Sequence, residues 1–534
     1  MTVTLIAEPA IHNLNETREG DPRAYVSGGR MHSFMKKGKA RHIGVAVALS
    51  LALSTTSLPA LAATSGSVSP TSTIGTAATT KVAAVAKATL TKVNIAGTVP
   101  FGASAINLAK YGYTETEYFA TGKAKRYRGA GNTFLDTATV IDGNHSYKTR
   151  VLVRKPSAKK FNGTLIVEWT NVTIGVDADF VFAEAGNQFL RQGYAYAVVS
   201  AQSVGIEALK TWSPKRYGKL SDKVSDVDPI GGGSVDTMTH KDALSWDIFS
   251  GVAAALKANT SKGSPLAGLK IKTMIATGQS QSASRLTGYY NTIQPKYRLF
   301  NGFVFWDRAT NALRADVTAP GISVNSEGLE LYFARPFANA NGANTRTWDI
   351  AGSTHGSKYA AAYVDAMFQR DGGVRGLSGT PMTFTDWIVP SCQSAPVFST
   401  VPNGQVVAAA MSAVVNKVRK GTDMPANILF QRDGNGDIVR DGNGQALGGL
   451  HLSALDAPTA TLNAFNPASP AAFPCNVSGS RVDFTKTQLT ARYGTTANYA
   501  NQVGTIDRAL QNQGYLLKAD VDVNIANALK AAID

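Results

Sequence analysis

A serine at a sharp strand-to-helix turn is the first residue of this sequence that could carry chemistry. An apolar run at residues 273–277 leads into Gly278-Gln279-Ser280-Gln281-Ser282-Ala283, and a helical pattern follows. This context is typical of a nucleophile elbow, a strained turn that lifts a serine hydroxyl above the edge of a sheet. Ser282 stands where the motif G-x-S-x-G has its second glycine. The flanking strand and helix, more than the bare motif, therefore indicate a nucleophile at Ser280.

A serine hydroxyl needs a general base, and the sequence offers few histidines for that role. Three of the seven lie in the first 62 residues, and two more precede Ser280, contrary to the nucleophile, acid, histidine order of nucleophile-elbow enzymes: His12, His32, His42, His145 and His240. His355 follows a short β-type run in a loop of small residues, where a base would lie over the nucleophile. His451 is interpreted as a surface or packed histidine, so His355 is the predicted base.

The carboxylate that orients the base must lie between Ser280 and His355 and follow a late strand. Glu327 follows the apolar run at residues 319–325 and is the preferred acid, with Asp307 and Glu330 as alternatives. Its expected role is to hold the imidazole in one tautomer and to stabilise the imidazolium that forms.

An oxyanion hole requires backbone N–H groups aimed at the charge that develops on the substrate oxygen. The residue after the nucleophile, Gln281, is expected to supply one. The other is expected from Thr170 or Asn171, which follow the apolar run at residues 163–169.

Strand and helix patterns alternate around these residues. Runs typical of strands lie at residues 147–154, 163–169, 194–200, 272–277, 299–306 and 319–325, and helix patterns at 179–192, 241–257 and 282–292. Several strands are apolar throughout, as in a parallel sheet that is buried on both faces. We therefore predict an α/β fold with a mostly parallel central sheet and helices on both faces. The pattern becomes less regular from about residue 375, and we find no repeat of fixed period.

Several short motifs resemble those of the bacterial family of alpha/beta hydrolase domain proteins, whose elbow reads Gly-Glu-Ser-Gln-Ser-Ala. The matching segments are Gly278 to Ala283, Val167-Glu168-Trp169, Val199-Ser200-Ala201-Gln202 and Ala351-Gly352-Ser353-Thr354-His355. The resemblance extends over about residues 95–530, and it implies an α/β-hydrolase fold in one elaborated domain.

The resemblance implies a serine hydrolase that cleaves carboxylic esters, of small molecules or polymers, through an acyl-enzyme and a Ser280-His355-Glu327 triad. Two departures are Gln279, where the family has Glu, and the segment Asn325 to Leu329, which keeps a Glu but lacks the family's Asp. A catalytically inactive binding protein of the cell envelope, or an acyltransferase with the same triad, remains an alternative. No metal or organic cofactor is implied.

The N-terminus is typical of an exported protein. Lys36, Lys37, Lys39 and Arg41 precede an apolar run at residues 43–53 that is too short to span a membrane, and Ala60-Leu61-Ala62 forms a cleavage site. We predict a signal peptide at residues 1–62, a flexible linker at 63–94 and a hydrolase domain at 95–534. The expected location is secreted, periplasmic or on the cell envelope, without stable membrane insertion.

Composition agrees with an exported globular protein. The 534 residues carry a formal net charge of +16, but the Lys and Arg residues are scattered, which argues against a nucleic-acid site. Only two cysteines are present, Cys392 and Cys475, and an even count in an exported chain predicts one disulfide.

Two further segments carry weaker signals. Asp433-Gly-Asn-Gly-Asp437 is similar to the start of a calcium loop, but the later ligand positions do not match, and Asn-Gly turns are the better interpretation. The segment at residues 203–238 could form a lid over the active site.

Overall fold

Nine strands form one central sheet, and the apolar runs of the sequence supply its central strands. They are β1 (Thr89–Lys92), β2 (Tyr113–Arg128), β3 (Thr139–Pro156), β4 (Thr164–Trp169), β5 (Ala195–Val199), β6 (Thr273–Gln279), β7 (Gly302–Trp306), β8 (Gly321–Ser326) and β9 (Thr345–Ile350). The order across the sheet is β1-β2-β3-β5-β4-β6-β7-β8-β9. The first three pairs in this order, from β1 to β5, are antiparallel. The remaining five pairs, from β5 through β4 to β9, are parallel. The predicted mostly parallel sheet is confirmed.

This computed structural model describes residues 82–130, 136–229, 242–258, 263–310, 312–333, 342–372, 374–375, 381–467 and 473–534. The predicted signal peptide and residues 63–81 of the predicted linker lie outside the described residues. The linker prediction extends too far, because Thr89–Lys92 forms β1 and pairs with β2.

Fifteen α-helices are found in the described part of the chain, besides two 3-10 helices (Leu108–Tyr111 and Val389–Ser391) and a π-helix (Tyr289–Ile293). They are α1 (Phe180–Gln192), α2 (Ser203–Trp212), α3 (Pro214–Tyr217), α4 (Ser245–Lys257), α5 (Gln281–Gly288), α6 (Gln294–Tyr297), α7 (Glu327–Phe333), α8 (Lys358–Asp371), α9 (Phe384–Ile388), α10 (Asn403–Lys420), α11 (Ser453–Asp456), α12 (Phe473–Asn476), α13 (Lys486–Tyr493), α14 (Thr496–Gln513) and α15 (Lys518–Ala528). Two pairs of short strands lie outside the main sheet, β10 (Val374–Arg375) with β11 (Pro381–Met382) and β12 (Ala460–Asn463) with β13 (Ser480–Asp483).

The two faces of the sheet bury separate hydrophobic cores. Successive side chains of a strand point to opposite faces, so Ile166 of β4 joins one core with α1, α8 and α10, whereas Leu165 and Val167 join the other with α4 and α5. Helices therefore cover both faces, and the central strands are apolar throughout for this reason.

The region after residue 375 belongs to the same unit as the sheet, which extends from Thr79 to Asp534. Helix α10 packs against β7 and α1 and contributes Val406, Met411 and Val414 to the core. The predicted disulfide joins Cys392 and Cys475. Within the described residues, no helix combines the length and the apolar character of a membrane span.

Residues 432–447 contain an eight-residue repeat that the sequence analysis missed, Arg432-Asp-Gly-Asn-Gly-Asp-Ile-Val followed by Arg440-Asp-Gly-Asn-Gly-Gln-Ala-Leu. In each copy the aspartate carboxylate accepts the backbone N–H groups two and four residues later. These carboxylates close turns, as the Asn-Gly interpretation predicts. Each arginine reaches helix α7, where Arg432 pairs with Glu330 and Arg440 with Glu327.

The described part of the predicted lid, residues 203–229, contacts the N-terminal segment rather than the nucleophile. Trp212 of α2 packs edge to face on Phe101 and donates to the Asp371 carbonyl, and Tyr217 of α3 donates to the Glu117 carboxylate. Residues 230–238 lie outside the described residues.

Candidate active site

The backbone at Ser280 has the conformation of a nucleophile elbow. Ser280 lies between β6 and α5 with φ 59° and ψ −122°, a region that L-residues rarely occupy and that costs on the order of 1–3 kcal/mol. A Cβ at Gly278 would lie 3.0 Å from the carbonyl group of Ser282, so a side chain there would require strand and helix to move apart by a few tenths of an ångström.

Ser282 closes the turn in place of the second glycine of the motif. Its hydroxyl accepts the backbone N–H of Gln279 at 3.0 Å and donates to the Gln279 carbonyl oxygen at 2.8 Å. The departure from G-x-S-x-G therefore adds hydrogen bonds to the elbow.

His355 connects Ser280 to a buried carboxylate. Its Nε2 lies 2.8 Å from the Ser280 Oγ, and its Nδ1 lies 2.6 Å from Oδ2 of Asp307. Asp307 is fully buried, whereas Ser280 is partly exposed. The chain order of the three residues is serine, aspartate, histidine, as in nucleophile-elbow enzymes.

Asp307 is held in place from the neighbouring strand. It directly follows β7 with φ 57°, and its Oδ1 accepts the backbone N–H of Ser326 at 2.7 Å. Its Oδ2 accepts the Ser326 hydroxyl at 2.6 Å in addition to the imidazole. Three donors therefore satisfy the carboxylate and fix the oxygen that faces His355.

The prediction that Glu327 orients His355 is wrong. Its Oε2 accepts the backbone N–H of Gly352 at 2.7 Å, and its Oε1 pairs with Arg440 at 2.8 Å. Glu330, the other alternative, pairs with Arg432. Both glutamates belong to α7, where they bind the arginines of the repeat. Asp307, named as an alternative, occupies the acid position instead.

The loop after β4 corrects the second part of the oxyanion prediction. The backbone N–H of Thr170 donates to the Val199 carbonyl at 3.3 Å, and that of Asn171 donates to the Ala178 carbonyl at 2.9 Å. Neither group is available to a substrate. Gln281 begins α5, and the first N–H groups of a helix have no intrahelical acceptor.

Other backbone N–H groups of that loop remain as candidate donors. Thr173 N–H is engaged, because it donates to the Asn171 side chain at 2.8 Å. Among the described residues, no acceptor is found for the N–H groups of Val172 and Ile174, and Ile174 lines the same cleft as Ser280. Val172 and Ile174 are therefore both candidates for a second donor beside Gln281.

A chain of amides connects the loop after β4 to His355. A backbone N–H can only donate, so the Thr173 bond identifies Oδ1 of Asn171 as the acceptor and turns its Nδ2 toward Oε1 of Gln279, at 3.2 Å. Nε2 of Gln279 then lies 3.2 Å from Nε2 of His355 and 3.4 Å from the His355 carbonyl oxygen. Because the Asp307 carboxylate at Nδ1 can only accept, the ring proton lies on Nδ1, and Nε2 is left to act as a base.

This arrangement predicts a shifted pH profile for Gln279→Glu. The variant places a carboxylate about 3 Å from Nε2, and a nearby negative charge favours the imidazolium, which cannot take the serine proton. We expect the acidic limb of the kcat/KM profile to move to higher pH than in the wild-type protein. Gln502→Glu, an exposed change on α14, is the charge-matched control. An acidic limb that coincides with that of the control would contradict the arrangement.

A buried carboxyl supports the other side of the histidine loop. Glu184 of α1 accepts the backbone N–H of Ser357 at 3.1 Å and its hydroxyl at 2.7 Å. Burial raises the pKa of Glu184 to about 7, so the group is partly protonated near neutral pH. The negative charge close to His355 therefore comes chiefly from Asp307.

A small cleft opens beside Ser280 and has a cavity volume of about 60 Å³. Apart from the three residues Gln279, Ser280 and His355, it is lined by Asn171, Thr173, Ile174, Phe180, Gly356, Phe384, Trp387, Val477 and Ser478. The lining is largely apolar, and apart from His355 it contains no ionisable side chain. Within the described residues, no group of histidine, cysteine and carboxylate side chains is arranged to hold a metal ion.

Comparisons with known proteins give weak similarity to two solved structures. A search of curated proteins finds no match. Among solved structures, the rice cell wall degrading esterase LipA from Xanthomonas oryzae is similar in its ligand-bound form, with a TM-score of 0.24 and 9% identity over 42% of this chain and 51% of that chain. A second structure of LipA gives a TM-score of 0.22 and 10% identity over 40% and 43%. The similarity thus spans about half of LipA or less.

The model of the family described as alpha/beta hydrolase domain matches residues 81–526. That range includes the elbow at Ser280, the aspartate that follows β7 and the loop that carries His355. The chain therefore belongs to the alpha/beta hydrolase domain family.

Proposed function

We propose that the protein is a serine hydrolase that cleaves carboxylic esters. The observation that carries the proposal is the continuous hydrogen-bonded series from Ser280 through His355 to Asp307. A strained elbow presents the hydroxyl, one imidazole nitrogen accepts its proton, and a buried carboxylate holds the other nitrogen. These are the parts that acyl transfer through a serine requires.

In the proposed first half-reaction, Oγ of Ser280 attacks the ester carbonyl carbon while Nε2 of His355 takes the hydroxyl proton. The carbonyl oxygen becomes an oxyanion, which the N–H of Gln281 and an N–H of the loop after β4, from Val172 or Ile174, stabilise. Collapse of the tetrahedral intermediate breaks the bond to the alcohol oxygen, which receives the proton from His355. Asp307 stays ionised and stabilises the imidazolium.

In the second half-reaction, a water molecule replaces the alcohol. His355 removes a proton from the water, and the hydroxide oxygen attacks the acyl carbon. The tetrahedral intermediate then releases Oγ of Ser280, which receives the proton from His355. The products are a carboxylic acid and the free enzyme.

The alternative of an inactive binding protein was motivated by the missing Asp in the segment from Asn325 to Leu329. That motive disappears because Asp307 follows the preceding strand, β7, and lies at hydrogen-bond distance from His355. Acyl transfer to an alcohol uses the same residues and differs only in the acceptor.

The test is a stoichiometry measurement on a panel of neutral short-chain esters. We expect one equivalent of carboxylic acid for each equivalent of alcohol released, measured by pH-stat titration and chromatography. A transesterified product that dominates when a second alcohol is added would identify an acyltransferase. A folded protein that turns over none of the esters would contradict the proposal.

We further propose that the protein is exported. The support is the sequence of residues 1–62 together with the Cys392–Cys475 disulfide, since such bonds persist in oxidising compartments. The N-terminus of the protein recovered outside the cytoplasm is expected to begin at Ala63. Recovery only from the cytoplasm with the leader intact would contradict the proposal.

A further inference from the structure

One side of the cleft beside Ser280 is built from three aromatic rings. Phe180 comes from α1, and Phe384 and Trp387 come from α9. The ring centroids of Phe180 and Phe384 are 6.0 Å apart, and those of Phe384 and Trp387 are 6.1 Å apart, with both pairs tilted. The rings therefore form a continuous aromatic wall next to the nucleophile.

Trp387 is much more exposed than its neighbour in the wall, Phe384. It retains 37% of its surface, whereas Phe384 retains 8%. A large indole left partly open at the rim of a cleft offers a face for a bound group, since Trp buries a large apolar area and pairs well with other rings.

The segment that carries the wall is anchored at several points. Thr383 and Asp386 form a capping box at the start of α9, and Thr385 donates its backbone N–H to Asp365 of α8 at 2.9 Å. The disulfide from Cys392 to Cys475 ties the chain after α9 to the segment that supplies Val477 and Ser478. Both sides of the cleft are thus held by contacts to the rest of the fold, which lowers the ordering cost of binding a ligand there.

The volume of the cleft shows that one small ring fits beside the wall. One water molecule needs roughly 10–15 Å³ of cavity volume, so the 60 Å³ present admits on the order of five water-sized groups, about one six-membered ring. The lack of ionisable lining groups other than His355 disfavours a charged ligand, because a charge placed there would lose its hydration without gaining a partner.

We propose that the site selects esters that carry a single uncharged aromatic ring, which packs against Phe180, Phe384 and Trp387 while the ester carbonyl lies at Ser280. This proposal rests on the proposed esterase function. The ring can belong to the acyl part or to the alcohol part, and the two sources are separated by the choice of substrates.

Two matched pairs of esters test the proposal. Benzyl acetate and cyclohexylmethyl acetate carry the ring on the alcohol, and methyl phenylacetate and methyl cyclohexylacetate carry it on the acid. Within each pair the ester chemistry and the size are nearly equal, so the comparison isolates aromaticity. We expect kcat/KM to favour the aromatic member of one pair by roughly 2- to 12-fold, the range for pairing between aromatic rings.

Variants of the wall residues test whether the aromatic wall causes the preference for aromatic esters. In Trp387→Leu the ratio of aromatic to cyclohexyl kcat/KM should fall toward one, and Phe384→Leu should act in the same direction. Tyr359→Leu removes an exposed aromatic side chain of α8 outside the cleft and should keep the wild-type ratio. Equal ratios in the wild-type protein and Trp387→Leu would overturn the assignment to this wall.

The outcomes separate this proposal from the esterase function. Hydrolysis of all four esters with ratios near one overturns the aromatic preference and leaves the esterase function intact. No hydrolysis, with no reaction of Ser280 toward a fluorophosphonate, overturns the esterase function and the aromatic preference together.

Discussion

Replacing Ser280 with alanine should reduce ester turnover by a factor of about 10⁵ to 10⁶, as expected when the nucleophile of a triad is removed. The only side-chain bond lost is the one from Oγ to His355, while the backbone bond from the Ser280 N–H to the Trp306 carbonyl remains. The free energy of unfolding should therefore change by about 1 kcal/mol or less. The comparison requires kcat/KM for a short ester together with a denaturant unfolding curve.

Ser280→Gly is the matched control for that experiment. Glycine lacks the Cβ that makes φ 59° and ψ −122° unfavourable, so it should be inactive like alanine but more stable than alanine by about 1 kcal/mol. An alanine variant that keeps more than about 1% of the wild-type activity would contradict the role of Ser280. A glycine variant less stable than the alanine variant would contradict the strained elbow.

Asp307→Asn should lower kcat by about 10⁴ because it enforces the wrong tautomer of His355. The backbone N–H of Ser326 donates to Oδ1 of Asp307, so an asparagine would keep its oxygen there and turn its NH₂ group toward Nδ1. Nδ1 would then accept a hydrogen bond instead of donating one. The proton moves to Nε2, which faces Ser280 and can no longer act as the base.

Glu327→Gln is the decisive companion variant, because Glu327 was the acid that the sequence favoured. The substitution removes the negative charge that pairs with Arg440, and Arg440 can turn its partly exposed guanidinium to water. We expect a loss of about 1–3 kcal/mol in unfolding free energy and a change in kcat of less than tenfold. A loss of activity in Glu327→Gln as large as that in Asp307→Asn would restore Glu327 as the acid.

The nucleophile and the base could be predicted because their signals are local. A strained turn between an apolar strand and a helix constrains its own residues, so Gly278, Ser280 and Ser282 are recognisable without tertiary information. His355 followed from elimination, since few histidines lie after the elbow. The parallel sheet was predictable for a similar reason, because strands buried on both faces are apolar along their whole length.

The acid could not be chosen in this way, since it depends on which of two neighbouring strands supplies the carboxylate. Parallel strands such as β7 and β8 lie about 4.8 Å apart, so the residues after each end close together. The sequence does not show that Glu327 is bound by Arg440, a residue more than 100 positions later. The repeat that contains Arg432 and Arg440 is visible in the sequence, but its pairing with Glu330 and Glu327 is known only from the structure.

The oxyanion donors were mispredicted for a different physical reason. Whether a backbone N–H is free depends on the carbonyl groups around it, and Thr170 and Asn171 meet acceptors at Val199 and Ala178. These acceptors come from β5 and from the far side of the same loop. Strand and loop boundaries alone do not contain that information.

The most direct test of the account is the reaction of the purified protein with a fluorophosphonate probe, followed by peptide mapping. A serine activated by His355 and Asp307 should form the phosphonyl adduct at Ser280 alone, and the rate should fall by about 10³ or more in Asp307→Asn. A folded protein that gives no adduct at Ser280, or one that reacts at the same rate in Asp307→Asn, would contradict the triad.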